Sequence, residues 1–294
     1  MRRIAFILIF ALLLGSIYLV ERRGSSGPVG LGPIMRLVAD LQRQAERIPL
    51  TATRLSHAEE RDIGSRMVHN YRLAEHSEPI SPEAEAIEKY LNQVGEHLSR
   101  HIQRQDIPYH FYLRDEDRFV NAFALPGGHI VMGRGLLNLM ESEDELAAVL
   151  GHEIAHVDRR HCIERLQYEL AARKLGLSLP FALASLPIDL FQAGYNKDLE
   201  LEADRVGVSC AVAAGYSPQG AIELFQRFEK KYPSVQSRSS TPVGEITRVA
   251  LSAPEEYFRS HPPPTERIAE VEREIRAHRW KLGPVQPLRV QAHL

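Results

Sequence analysis

Two histidines four residues apart carry the clearest chemical signal in this sequence, in the segment His152-Glu153-Ile154-Ala155-His156. On a helix, this spacing places both imidazoles on one face, about one turn apart. Zinc takes imidazole nitrogens at about 2.0–2.1 Å, so the two side chains can converge on one ion. Glu153, beside them, can accept a proton from a water molecule in the open position of such an ion. The pattern predicts metal-assisted hydrolysis, with His152 and His156 as ligands and Glu153 as the general base.

A third ligand is needed, and a downstream carboxylate is the natural candidate. Residues 200–204 read Glu-Leu-Glu-Ala-Asp, so Glu200 and Asp204 share one helical face. One of the two can bind the metal while the other orients a ligand histidine. Glu202 points elsewhere on the same helix. The competing interpretation of this segment is a solvated acidic face beside Arg205.

The histidine pair falls on a predicted core helix. Ser142 begins a capping box, and the helix is predicted to continue through Cys162 or beyond. Two histidines and a glutamate inside an apolar helix need partners, because burying unpaired polar groups is unfavourable. His161 lies nine residues after His152, on the opposite side of an uninterrupted helix, so it is not expected to bind the metal.

The rest of the chain predicts a mainly helical α+β domain with a small sheet. Capped apolar patterns mark the helices, and one region of period two marks three strands, two of them joined by a Pro126-Gly127-Gly128 turn. The other predicted helices cover about 56–75, 82–103, 197–214, 218–232 and 265–280, and the strands about 109–113, 119–125 and 129–132. Residues 233–249 are predicted to be a loop.

An N-terminal apolar run predicts contact with a membrane. The run from residue 4 to residue 20 is unbroken, follows Arg2 and Arg3, and is about as long as a short membrane span. We expect an inner-membrane signal anchor with the catalytic domain in the periplasm; a cleaved signal peptide, which would leave a soluble periplasmic protein, is the alternative. The predicted order is a signal anchor over 1–20, a linker and juxtamembrane helix over 21–54, the domain over 55–280 and a tail over 281–294.

Composition narrows the classes of function and fold. The chain of 294 residues is 44% hydrophobic with a formal net charge of −2, so it lacks the basic surface expected of a nucleic-acid-binding protein. Its two cysteines, Cys162 and Cys210, are too few for a disulfide scaffold. They are expected to be small buried hydrophobic residues, with a single bridge as the alternative.

The chain resembles the membrane-associated gluzincin metallopeptidases, a group that includes HtpX, the CAAX prenyl proteases, the mitochondrial Oma-type proteases and the periplasmic BepA-like proteins. The resemblance covers about residues 55–280 and rests on four motifs in family order. These are His152 to His156, Glu200 to Asp204, Asn121-Ala122-Phe123-Ala124 with Pro126-Gly127-Gly128, and His261-Pro262 with Glu266-Arg267.

This resemblance implies roles for several residues. Glu200 would be the third ligand of one zinc ion per chain, and Asp204 would act behind the ligands. The strand from Asn121 to Ala124 would be the edge against which an extended polypeptide substrate pairs, since an edge strand offers unpaired backbone groups. Plain core packing is the alternative for this strand. The single apolar segment, unlike the several spans of HtpX and the CAAX proteases, argues against prenylated substrates.

Two residues near the C-terminus extend the predicted site. His261 precedes three prolines and is either a fourth ligand that blocks water at rest or a surface histidine beside a helix. Arg267 either stabilises the oxyanion of the transition state or pairs with an acidic residue such as Asp204. The pairing is the hypothesis that we favour for Arg267.

These features predict a zinc-dependent metalloendopeptidase that cleaves misfolded or envelope proteins in protein quality control. The substrate class is an expectation from the resemblance, since no residue in the sequence fixes a side-chain preference. One alternative is a membrane-anchored chaperone or scaffold that uses the same groove without cutting, although the intact Glu153 argues against it. Another is a structural zinc protein whose four-ligand site is permanently closed.

Overall fold

The computed structural model describes residues 55–75, 81–174, 189–192, 194–231 and 261–289. All of these residues belong to one compact unit. The predicted membrane segment, the linker with its juxtamembrane helix, and the loop over 233–249 lie outside the described residues and stay predictions. Within the described ranges, no helix is both long and apolar enough to cross a membrane.

Helices surround one small sheet, which confirms the mainly helical α+β class. The helices are α1 (His57–Glu75), α2 (Pro82–Ser99), α3 (Arg134–Leu137), α4 (Glu143–Asp158), α5 (His161–Lys174), α6 (Asp189–Gln192), α7 (Lys197–Ala213), α8 (Gln219–Lys231) and α9 (Pro264–His278). The strands are β1 (His110–Arg114), β2 (Ala122–Leu125) and β3 (His129–Gly133).

The central strand of the sheet is β3, which pairs with β1 in parallel and with β2 antiparallel. The turn between β2 and β3 contains Gly127 and Gly128 with φ of 77° and 89°, a backbone region where glycine avoids the strain of a side chain. Because β3 is the central strand, β2 is an edge strand of this sheet, as predicted. Its four residues are nevertheless at most 2% exposed, and α6 packs against it.

The helix that carries the histidine pair begins where the sequence predicts. Ser142 Oγ accepts a hydrogen bond from the backbone N–H of Glu145 at 3.3 Å, and every residue of α4 is buried. Part of the predicted tail packs at this end of the helix. The Gln286 N–H donates to the Asp144 carboxylate, and Ser142 pairs with Pro287 across an isolated bridge.

The end of α4 differs from the prediction. The expected helix through Cys162 is wrong, because α4 stops at Asp158 and Arg160 adopts a left-handed φ of 64° before α5 begins at His161. No glycine or proline marks this break, so the apolar pattern reads as continuous across it. The turn at Arg160 brings His161 into contact with His156. An uninterrupted helix would have placed His161 on the side opposite the histidine pair.

Several other elements begin or end a few residues away from their predicted limits, while the two cysteines are as predicted. α2 ends and β2 begins a few residues inside their predicted limits. α9 begins at Pro264 with Pro263 in the capping position predicted for Thr265, and proline suits a first turn because its missing N–H has no intrahelical partner there. Cys162 and Cys210 are both buried and free, which confirms the interpretation of them as small buried residues.

Two glycines allow α4 and α7 to cross in close backbone contact. A Cβ built on Gly151 would lie 2.6 Å from the carbonyl oxygen of Gly207, and one on Gly207 would lie 2.5 Å from the backbone nitrogen of His152. Backbone atoms of two packed helices cannot move aside as a flexible side chain can, so the crossing needs glycine on both helices. This contact sets the residues at 200–204 beside the histidine pair.

Gly207→Ala tests the crossing. The added methyl group would push α7 away from α4, so we expect the free energy of unfolding of the metal-free protein to fall by about 1–3 kcal/mol. Chemical denaturation measures this change. Gly283→Ala is the control, because its new methyl group meets no atom within 4 Å. Equal stability of the two variants would contradict the close crossing.

Candidate active site

Side chains from α4 and α7 meet in one buried cluster. His152 Nε2 lies 3.1 Å from His156 Nε2 and 3.3 Å from Glu200 Oε2, and His156 Nε2 lies 3.8 Å from Glu200 Oε1. All three residues are at most 3% exposed, and their ligand atoms could hold one metal ion. The structure thus brings together the three residues that were predicted as ligands.

The donor set of this cluster fits zinc. In a tetrahedral site with bonds of about 2.0–2.1 Å, neighbouring ligand atoms lie about 3.3 Å apart, close to the spacing around His152 Nε2. Glu200 Oε2 is buried and makes no hydrogen bond within the described part of the chain. A buried carboxylate oxygen without a partner is unfavourable, and a cation between it and the two imidazoles removes that penalty.

Asp204 contacts the opposite nitrogen of His152. Its Oδ1 lies 2.8 Å from His152 Nδ1, so the imidazole donates its Nδ1 proton to the carboxylate and keeps a lone pair on Nε2 for a metal. Arg267 donates to the same carboxylate from Nε to Oδ2 at 2.9 Å and from Nη2 to Oδ1 at 2.6 Å. Burial alone would raise the pKa of Asp204, but Arg267 and His152 hold it well below its usual value. Arg267 therefore makes the acidic pairing that we favoured from the sequence.

Glu153 lies in the same buried site, beside the edge strand. The backbone N–H of Ala124 lies near its carboxylate and slightly opposes the rise of its pKa, and the residue is 2% exposed. Burial, reinforced by the charge of Glu200 and opposed by His152, raises the pKa of Glu153 to about 7. A carboxylate with a pKa near neutrality is suited to take up a proton and release it again.

His261 reaches the cluster from the segment before α9. Its Nε2 lies 3.6 Å from Glu200 Oε2, and its ring centroid lies 5.2 Å from that of His152. The alternative interpretation of His261 as a surface histidine is wrong, because the residue is only 8% exposed. Together with His152 and Glu153 it forms a second group whose atoms could hold a metal ion.

The predicted substrate strand is adjacent to this site and contains an unsatisfied donor. Asn121 is fully buried, and its Oδ1 accepts a hydrogen bond from the backbone N–H of Ala122 at 3.0 Å. Its Nδ2 has no acceptor in the part of the chain that the structure describes. One hydrogen-bond donor of Asn121 is thus free to bind another group.

The sequence did not single out Tyr195, which packs directly on the ligand cluster. Its ring stacks on His156 with centroids 4.2 Å apart and an angle of 21° between the planes. Its backbone N–H donates to Glu200 Oε1 at 2.7 Å. Tyr195 immediately precedes Asn196, whose side chain caps α7, so its position just before the carboxylate helix was the available signal.

Comparison with known proteins agrees with this geometry. The model of Peptidase family M48 matches residues 85–275. The beta-barrel assembly-enhancing protease of Yersinia pestis is 30% identical over 213 residues, which cover 67% of this chain and 40% of that protein. The mitochondrial metalloendopeptidase OMA1 of Schizosaccharomyces pombe is 28% identical over 195 residues, which cover 63% of this chain and 57% of that protein. The chain thus spans less than two thirds of the length of these relatives.

The fold and the buried cluster of two histidines and a glutamate, with a second glutamate beside it, define a metallopeptidase domain. Because the family model covers well over half of the sequence, the family is also clear. The chain belongs to peptidase family M48. The resemblance to membrane-associated gluzincins and the predicted enzyme class, a zinc metallopeptidase, are confirmed at this level.

Arg267→Met tests the buried ion pair with Asp204. Removing the guanidinium leaves the Asp204 carboxylate buried with its charge largely uncompensated, so we expect the free energy of unfolding to fall by about 3–5 kcal/mol. Arg276→Met is the control, because Arg276 and its partner Glu272 are mostly exposed and such pairs contribute little. Thermal or chemical denaturation compares the variants, and a similar small effect in both would refute a structural role for Arg267.

Proposed function

We propose that this protein is a zinc-dependent endopeptidase with one zinc ion per chain, held by His152, His156 and Glu200. The observation that carries the proposal is the convergence of these three side chains on one buried point beside Glu153. A closed structural site would not need a buried carboxyl group whose pKa lies near 7 next to its ligands.

His152, His156 and Glu200 would hold the zinc ion, which would supply Lewis-acid polarisation of the scissile carbonyl and activation of a water molecule. Glu153 would accept a proton from the attacking water at its carboxylate and would later donate it to the leaving amine nitrogen. Asp204, held by Arg267, keeps the proton of His152 on Nδ1, so that Nε2 presents its lone pair to the ligand cluster.

The substrate in this proposal is an extended polypeptide that pairs with the edge strand β2. Two observations support that position: β2 is an edge strand, and Asn121 Nδ2 is a buried donor without an acceptor in the described ranges. A peptide carbonyl at that nitrogen would offset an energy penalty of about 1–3 kcal/mol. Because β2 is buried and α6 packs on it, a bound peptide requires α6 to move from this position.

Envelope or misfolded proteins are the substrates that we propose, in a role of protein quality control. The apolar segment over residues 4–20 and the similarity to a protein named a beta-barrel assembly-enhancing protease support this assignment. In the same proposal the segment anchors the chain in the inner membrane, with the catalytic domain in the periplasm. A cleaved segment would leave a soluble periplasmic enzyme instead.

Glu153→Gln tests the proposed general base. The change keeps the shape of the side chain but removes the proton acceptor, so we expect cleavage of an unfolded casein substrate to slow at least about 100-fold while zinc content stays at one per chain. Glu272→Gln, at an exposed site, should retain full activity. Cleavage by the parent should also stop when a chelator removes the metal.

Two results would reject this assignment. Full activity of metal-loaded Glu153→Gln protein would show that another group takes the proton. A parent protein that binds unfolded substrate and zinc but cleaves nothing, with or without His261, would favour the non-proteolytic chaperone or scaffold.

We also propose that His261 acts as a fourth ligand that keeps water from the metal at rest. Its burial and its Nε2, 3.6 Å from the Glu200 carboxylate, support this arrangement. The segment before α9 would have to withdraw His261 before water and substrate could enter. The enzyme would then be gated, in contrast to a structural zinc protein whose site is always closed.

His261→Ala separates these two arrangements. Removing the imidazole opens the fourth position, so we expect peptide cleavage at least severalfold faster than in the parent at equal zinc content. His278→Ala, which changes a half-exposed histidine at the end of α9, should leave the rate unchanged. A His261→Ala rate at or below that of the parent would contradict the gate.

A further inference from the structure

The second zinc-facing histidine, His156, has a partner that none of the roles described so far includes. Its Nδ1 lies 2.9 Å from Nδ1 of His161, a residue that is only 2% exposed. The other ring nitrogen of His161, Nε2, faces Glu202 Oε2 at 3.6 Å. The chain of groups therefore runs from His156 through His161 to a half-exposed carboxylate on α7.

Hydrogen bonding between two imidazole nitrogens restricts their tautomers. A neutral imidazole has one N–H and one lone pair, so one Nδ1 must donate while the other accepts. If His161 donated from Nδ1, His156 would use its only lone pair at Nδ1 and carry its proton on Nε2. That nitrogen points at His152 and Glu200, and a protonated nitrogen cannot bind a metal there.

In the opposite arrangement, every ring nitrogen of the two histidines has a suitable partner. His156 donates from Nδ1 and keeps its Nε2 lone pair for the metal, and His161 accepts at Nδ1. The proton of His161 then lies on Nε2, which is the nitrogen that faces Glu202. A carboxylate at that end favours this tautomer because it attracts the N–H and repels a lone pair.

We propose that His161 and Glu202 form a positioning relay that selects the metal-binding tautomer of His156. The inference rests on the proposed zinc site and adds two residues to it. On the other ligand histidine, His152, Asp204 has the same task through a direct contact of 2.8 Å. α7 thereby carries three carboxylates of the site: Glu200 would bind the metal, Asp204 contacts His152 directly, and Glu202 acts on His156 only through His161.

The backbone explains why His161 can reach His156 at all. On an uninterrupted helix the two residues would not face each other, since they are five positions apart. The left-handed φ of Arg160 ends α4 and starts α5 at His161, which turns the imidazole back towards the site. Tyr195 then stacks on the His156 ring and limits its rotation.

Zinc affinity of the full-length protein, measured by competition with a chromogenic chelator, tests the relay without any need for catalysis. His161→Phe keeps a ring but removes the acceptor, so we expect zinc binding to weaken about 10–100-fold. His161→Asn places an amide oxygen near the position of Nδ1, and affinity within about threefold of the parent is expected. Glu202→Ala should weaken binding about threefold to tenfold, because its contact is longer and half exposed.

His129→Phe is the matched control, because His129 is another buried histidine and hydrogen-bonds to Ser65 and Tyr112 rather than to the ligand cluster. It should lower the stability of the metal-free protein without changing zinc affinity. Equal losses of affinity in His129→Phe and His161→Phe, or no loss in His161→Phe, would overturn the relay. A parent protein that binds no zinc would instead overturn the metal site, and the relay with it.

Nitrogen-15 NMR of the zinc-loaded parent gives a direct second test that depends on no variant. We expect one proton on Nδ1 of His156 and one on Nε2 of His161. A His161 ring that carries its proton on Nδ1 would refute the inference.

Discussion

The close crossing of α4 and α7 is the constraint on which the rest of the site depends. Gly151 and Gly207 let the two helix backbones touch, and no other residue type fits between them without displacing a helix. At this separation the carboxylates of α7 reach the imidazoles of α4. The geometry of the candidate metal site is therefore set by backbone packing, which is stiffer than the side chains themselves.

Most of the charged groups buried at this site are balanced by a neighbouring group of opposite charge. Asp204 is balanced by Arg267 and His152, while the unbonded Oε2 of Glu200 faces His152 and His261. Glu153 is different, because burial without a full counter-charge raises its pKa to about 7, close to neutral pH. The same packing that stabilises the domain thus leaves one carboxyl group able to exchange a proton near neutral pH.

Residues related by local helix spacing could be predicted from the sequence, whereas of the tertiary contacts only some, such as that of Arg267 with Asp204, were expected. His152 and His156 lie one turn apart on a helix whose cap is legible in the sequence, so their convergence follows from helix geometry. The carboxylate pair on α7 follows from the same rule. The contact of His161 depends on a left-handed arginine that no propensity marks, and that of Tyr195 depends on how α7 is oriented. Tertiary packing decided both.

The position of the metal tests the central claim most directly. Anomalous X-ray diffraction at the zinc absorption edge, on crystals of the purified protein, locates the ion without assumptions about its ligands. We predict one peak per chain, at about 2.0–2.2 Å from His152 Nε2, His156 Nε2 and a carboxylate oxygen of Glu200. No peak at this cluster in zinc-supplemented crystals, or a peak bound by other residues, would contradict the account.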